Sequence, residues 1–560
     1  MLTRRDFLQV AAAAAGMGLL PGRGFAAGNP LRLEDLTAFE AKGQVTLLNF
    51  TDIHAQLMPL YYREPSINLG VGSMRGQLPH LTGKALLAHY GLAAGSAEAH
   101  AFTSEDFVAL ARRYGRVGGL AHMATIINAI RAERPGRTLL VDNGDTWQGS
   151  YTSLQTRGAD MVEAMNALGV EVMTAHWEFT FGTERVQELI EKLEFPFLAG
   201  NILDTEWEEP AFESTAFFER GGVKIAVVGQ AFPYTPVANP RYMIPGWSFG
   251  IREEMVRDHV RKAREAGAQL VVLASHNGFD VDRKLASRIE GIDVILTGHT
   301  HDALPGVVKV GNTLLVASGS HGKFLARLDL DVRNGRVADY AFKLIPIFSD
   351  VIPPDPEIGD LIARIRAPHE KVLNEELATT QGLLYRRGNF NGTFDDLLCQ
   401  AMLEEREAEI ALSPGFRWGS SLLPGMAIRG EDVFNQTAIT YPNCYRLEMT
   451  GERLKIILED VADNLFNPDP YYQQGGDMVR VGGMGYTIDV SQPIGKRISN
   501  MTMLKSGKPV DPKKSYVVAG WASVNPGVEG PPIYDVVSDY LRRKKEVKIA
   551  ENRSIKIQGV

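Results

Sequence analysis

Short apolar runs at 44–50, 138–142, 223–229, 269–275, 293–297 and 313–318 each give way to a polar loop. Bounded in this way, they predict strands. Between several of them apolar residues return at helical spacing, as over 123–133, 183–193 and 253–266. Strands alternating with helices predict an α/β sandwich whose functional loops lie at strand ends. The segment 56–115 breaks the rhythm. It carries Tyr61-Tyr62-Arg63-Glu64-Pro65 and many glycines, and it has the length of a lid or binding loop rather than of a plain connector. Pro353-Pro354-Asp355-Pro356 reads as a linker, followed by a helical stretch to about Leu377. Beyond it, helices over 394–411 and 451–466 stand among short strands at 433–439, 478–489 and 516–520, the pattern of a second, α+β domain. The expected division is a catalytic domain over 40–348, linker and helix over 349–377, and a second domain over 378–560.

A chain of 560 residues is too long for one ordinary core, which agrees with two domains. Its net charge of -8 argues against nucleic acid, which calls for a basic face. Only Cys399 and Cys444 are present, so there is neither a disulfide framework nor a cysteine metal site. One bridge between them or two buried thiols both fit. Thr3-Arg4-Arg5-Asp6-Phe7-Leu8 precedes a weakly apolar run and the small residues Ala26-Ala27. This predicts a twin-arginine export signal over 1–27, removed near Ala27, and a mature protein in the periplasm.

Polar residues collect just after the N-terminal strands. They are Asp52 and His54, Asp145 in Asp142-Asn143-Gly144-Asp145, His176, His276, and His299 with His301 in Gly298-His299-Thr300-His301. Singly, each reads as a turn former or an ordinary surface or core side chain. Five of the chain's 12 histidines on such loops, beside two aspartates, predict a metal site, because imidazole and carboxylate donors suit divalent transition metals. Seven donors are too many for one ion. Two ions bridged by a carboxylate fit them, manganese first, with zinc and iron as alternatives that ligand type does not separate.

This loop order resembles the calcineurin-like metallophosphoesterases, in the branch of the secreted 5'-nucleotidases. That branch carries Asp-x-His, Gly-Asp, Gly-Asn-His-Glu-Phe, His and Gly-His-x-His in the same order. It also has a Gly-Gly helix start like Val117-Gly118-Gly119-Leu120. Gly415-Phe416-Arg417, Tyr441-Pro442-Asn443 and Met449-Thr450-Gly451-Glu452 resemble the nucleotidase substrate-binding domain. The resemblance implies a four-layer α/β/β/α sandwich followed by an α+β 5'-nucleotidase-type domain. It also implies one ion on Asp52, His54 and His301, the other on His276 and His299, and Asp145 bridging them beside a hydroxide.

Two departures stand out. Aligned on Glu178-Phe179, the family's metal-binding Asn becomes His176 and its catalytic His becomes Trp177. The tryptophan side chain offers one N–H donor and no titratable proton near neutrality, so Trp177 is expected to act as a pocket wall. A thiol, with a pKa of about 8.5, leaves without protonation where an alkoxide does not. Of two base-stacking aromatics, Tyr441 remains, while the second position is Met478 with Arg480 nearby.

His-Trp-Glu-Phe, the Arg63-Glu64-Pro65-Ser66 insertion and the export signal together resemble the thiosulfohydrolases of sulfur oxidation. Members of that family release sulfate from a cysteine S-thiosulfonate on the carrier protein SoxYZ. Arg417, Arg480 and Tyr441 are the expected substrate contacts. The alternatives are a periplasmic 5'-nucleotidase or cyclic-nucleotide phosphodiesterase, and a metal-stabilised binding protein without activity.

Overall fold

The structure is a computed structural model and describes residues 31–560; the export motif of residues 1–27 lies outside them. No helix among the described residues is long and apolar enough to cross a membrane. Two sheets face each other in the N-terminal half. One has the order Arg336–Pro346, Phe324–Arg333, Val45–Phe50, Thr138–Asp142, Val172–Met173, and the last three strands run parallel. In the other, Val223–Gln230, Leu270–Ser275, Val294–Thr297 and Thr313–Ala317 run parallel between antiparallel edges.

Alternation along Leu270–Ser275 shows why four layers form. Leu270, Val272 and Ala274 point into the core shared by the two sheets. Val271 and Leu273 point outward under the helices Glu253–Glu265 and Phe279–Arg288. Helix Leu120–Glu133 seats Met123, Ile126, Ile127 and Ile130 in the core on the far side of the first sheet. The four-layer sandwich is therefore written into the strand period of two.

Parallel registers place the chemistry at one edge. Phe50 pairs with Asp142, and Ser275 with Thr297, so the loops that follow leave the two sheets side by side. Asp52 N–H donates to Gly144 O at 2.9 Å, and His54 N–H to Asp145 O at 2.8 Å. Asn143 Nδ2 reaches across to Ser275 O at 3.4 Å and clips the edges of the two sheets together.

Several expectations are corrected. The 56–115 segment is irregular only in its first half, with one short turn at Gly72–Met74; its second half folds as helices Gly83–Tyr90, Ala97–Phe102 and Phe107–Tyr114, with Leu86, Phe102 and Tyr114 in the main core. Each helix has 8 residues or fewer, too short a period to emerge from a glycine-rich background. The strand expected at 433–439 is the helix Gly430–Thr437. Asp432 turns back to accept the Arg429 N–H at 2.8 Å, and this N-terminal cap outweighs the strand preference of Val433 and Phe434.

The strand expected over 478–489 is two strands, Arg480–Gly482 and Met484–Asp489, belonging to different sheets. The break is Gly483, at φ 76°, where a Cβ would overlap the Glu409 carbonyl. At Pro353–Pro356 the chain leads directly into a helix. Asp355 Oδ1 caps the helix Pro356–Arg366, accepting from Glu357 N at 3.1 Å and Ile358 N at 3.2 Å, and that helix packs on Leu120–Glu133. Cys399 and Cys444 are buried free thiols.

Residues beyond Glu376 form three small sheets braced by the helices Thr393–Glu405, Gly451–Phe466 and Ile533–Lys544. This second unit closes over the strand-end edge of the first. Arg387 Nη2 donates to Thr300 O at 3.0 Å and His301 O at 3.3 Å.

Candidate metal centre

All seven predicted donors come together, buried, in two groups that share one residue. Asp145, His176, His276 and His299 form one; Asp52, His54, Asp145 and His301 form the other. Within each group the donor atoms lie within 4.8 Å of one another. Asp145 is the shared member. Its Oδ2 lies 3.0 Å from His176 Nδ1, 3.2 Å from His276 Nε2 and 3.8 Å from His54 Nε2.

The backbone of these loops is held in an unusual region. Asp52, His54, Asp145, His299 and His301 all have positive φ, between 49° and 73°, although none is glycine. Such conformations cost about 1–3 kcal/mol each and persist where the surroundings over-determine them. Here those surroundings are the cross-loop hydrogen bonds and the packing of both units.

The residues fit divalent ions. His54 Nε2 and His301 Nε2 face each other at 3.0 Å, so their lone pairs converge. Asp52 Oδ1 and His176 Nε2 are buried without a hydrogen-bond partner among the described residues. His276 Nδ1 donates to Asn143 O at 2.5 Å, which turns its Nε2 toward the carboxylates. Burial brings His54 down to about 4 and keeps His299 and His301 well below the usual histidine range, so these rings are neutral donors. Burial alone would raise Asp145, but His176, His276 and His54 outweigh it and hold the carboxylate ionised.

Glu178, two residues beyond His176 and a motif position with no role assigned from the sequence, anchors the loop. Its Oε1 accepts from Thr146 N at 2.7 Å, and its Oε2 from His176 N at 2.7 Å and Asp145 N at 3.3 Å. Both oxygens of this buried side chain accept backbone N–H groups, and an amide would set its own N–H₂ donors against one pair of them. Glu178→Gln is expected to lower stability by about 2 kcal/mol or more, read as an earlier midpoint in urea unfolding. An unchanged midpoint would show that the carboxylate is incidental.

Above the donors lies a cavity of about 160 Å³. Trp177 lines it, and its backbone N–H donates to Asp145 Oδ1 at 2.8 Å. Its ring meets Phe416 at 5.4 Å and Trp418 at 5.0 Å, both edge to face, while Phe416 and Trp418 stack at 4.0 Å. Phe232 completes the aromatic lining, stacked on His299 at 4.1 Å. Phe232 and Trp418 have no local motif that marks them, and only the fold brings them here.

Arg417 lines the cavity, with Nη1 donating to His299 O at 3.2 Å and Nε 3.5 Å from Asp477. The other two expected substrate contacts are corrected. Arg480 is fully buried outside the cavity lining, held by Asp477 at 2.9 Å and Asp395 at 3.4 Å, because its inward-facing strand position demands a paired charge. Tyr441 also stands outside the lining. Its hydroxyl donates to Ala238 O and its ring belongs to the core of the second unit. Gln474 and Gly475 also line the cavity: Gly475 approaches His299 so closely that a Cβ would overlap the imidazole, and His299 Nε2 meets Gln474 O at 3.3 Å.

Fold and site together define a metal-dependent hydrolase built for two ions. Residues 376–539 match the family described as the 5'-nucleotidase C-terminal domain. The chain is 24% identical to the 5'-nucleotidase of Bos taurus over 449 residues, covering 72% of this chain and 75% of that protein. The solved structure of Thermus thermophilus sulfate thiohydrolase SoxB superposes with a TM-score of 0.90 at 37% identity, covering 93% of this chain and 98% of that one. A 5'-nucleotidase precursor, also from Thermus thermophilus, shares the fold, with a TM-score of 0.73 at 21% identity over 92% of this chain and 100% of that one. The chain belongs to the SoxB family, in the 5'-nucleotidase branch of the calcineurin-like metallophosphoesterases.

Proposed function

We propose that this chain releases sulfate from a cysteine S-thiosulfonate borne by the carrier protein SoxYZ, in the periplasm after twin-arginine export. A 37% identical structure named as a sulfate thiohydrolase supports the reading. The observation that carries it is Trp177, which places an indole in the cavity wall where the 5'-nucleotidase motif has a histidine.

Two divalent ions, manganese first, would be held by Asp52, His54, Asp145 and His301 and by Asp145, His176, His276 and His299. They supply positive charge and a water poised for deprotonation near neutral pH. The residues do the rest. Trp177, Phe416 and Trp418 keep bulk water from the reacting sulfur and give a polarisable leaving atom an aromatic surface. Arg417, fixed by His299 O and Asp477, offers a guanidinium to sulfonate oxygens. In the balance of the reaction the water oxygen joins the terminal sulfur. The S–S bond breaks with its electron pair going to the inner sulfur, and sulfate and a cysteine persulfide are formed. A sulfur anion needs no proton to depart, so the absence of an acid at position 177 is no handicap.

Sulfate release from thiosulfonated carrier, followed by ion chromatography beside phosphate release from AMP, tests this. Sulfate without phosphate is expected. AMP turnover with no sulfate would sink the proposal and make the chain a nucleotidase.

A further inference from the structure

His321 stands beside the metal centre without joining either donor group. Its ring centroid lies 5.4 Å from that of His54 and 5.7 Å from that of His301, yet both ring nitrogens are engaged elsewhere. Nε2 accepts the Gly419 N–H at 3.1 Å, so the ring's proton sits on Nδ1, which faces Ser320 Oγ at 2.9 Å. Ser320 Oγ in turn donates to Tyr62 Oη at 3.2 Å, and Tyr62 stacks on the imidazole at 4.3 Å. The donors run in one direction, which fixes a single tautomer.

Each end of this chain of bonds matters. Gly419 directly follows Phe416, Arg417 and Trp418, three of the wall residues contributed by the second unit. It sits at φ 128°, a backbone conformation that L side chains rarely adopt, so a substitution there would be strained. At the other end, Tyr62 belongs to the 56–115 segment. Its carbonyl accepts from Lys323 Nζ at 3.2 Å, and Glu64 pairs with Lys323 at 2.7 Å, both buried. The segment is therefore riveted to the strand that starts at Phe324.

We infer that His321 is a positioning residue. It is a neutral acceptor, held by Tyr62 and Ser320, that fixes the Gly419 turn and thereby sets the Phe416–Trp418 wall over the metal centre. The 56–115 segment supports the wall from behind through Tyr62.

His321→Phe keeps a ring for Tyr62 to stack on but removes the acceptor, while His321→Gln returns an oxygen near the place of Nε2. Loss of wall placement is expected to lower kcat/KM for sulfate release about tenfold in His321→Phe, with two ions per chain retained. The near-ultraviolet circular dichroism of the Trp177–Trp418 pair is expected to change, and His321→Gln to restore both readouts to within about twofold. The dichroism is independent of any substrate, so its outcome is separate from the proposed reaction. Ser320→Ala, which leaves the imidazole but frees its tautomer, is expected to show part of the same change and serves if His321→Phe does not fold. Loss of metal in His321→Phe, a wild-type dichroism spectrum in both His321→Phe and Ser320→Ala, or equal defects in the Phe and Gln variants would overturn the inference.

Discussion

Asp145→Asn is expected to reduce bound metal from two ions to one or none and to lower turnover by about three orders of magnitude or more. Asp145 is the one residue present in both donor groups, and its Oδ2 faces His176, His276 and His54 within 3.8 Å. Three imidazoles around one carboxylate oxygen are tolerable as ion ligands because the carboxylate carries the neutralising charge. An amide keeps the shape but not the charge. Its oxygen can still accept the Trp177 backbone N–H, so the loop is expected to fold, and the loss should appear in metal content and activity rather than in the far-ultraviolet spectrum. Metal analysis by mass spectrometry beside single-turnover assays checks this. Two tightly held ions with undiminished turnover would remove Asp145 from the bridging position.

Trp177→His is expected to act in two separable ways. Removing the indole leaves Phe416 and Trp418 without the edge that meets them at 5.4 and 5.0 Å, and a cavity of that kind costs about 3 kcal/mol. The imidazole that replaces it brings a group able to protonate an alkoxide. Phosphomonoester hydrolysis is therefore expected to rise by about ten- to a hundredfold, while sulfate release falls. Thermal melting and paired assays with AMP and thiosulfonated carrier separate the two effects. A variant with wild-type sulfate release and no gain toward AMP would mean that the position has no part in selecting the leaving group.

Much of the sandwich was legible because its strands are near-continuous apolar runs ending in Asp or His, as at Phe50-Thr51-Asp52 and Ser275-His276. Those endings also mark most of the donors, while His176 follows a strand of only two residues, Val172–Met173. What escaped was contributed by non-local packing. Trp418 reaches the cavity from the other unit, and His321 lies in Ser320-His321-Gly322, which is indistinguishable from a turn until Gly419 is placed beside it. Glu178 was visible as part of a motif, but its role rests on four backbone N–H groups that only the folded loop gathers. For Arg480 and Tyr441 the resemblance to the nucleotidase base-stacking positions points to the cavity, whereas charge pairing with Asp477 and a hydrogen bond to Ala238 turn them into the interior.

Trp177 belongs to two places at once. Its backbone N–H holds the shared carboxylate, and its ring is part of the core of the second unit. A ligand seated against Phe416 and Trp418 and an ion in the donor groups therefore share one residue through which each can feel the other, and whatever coupling results is equal in both directions.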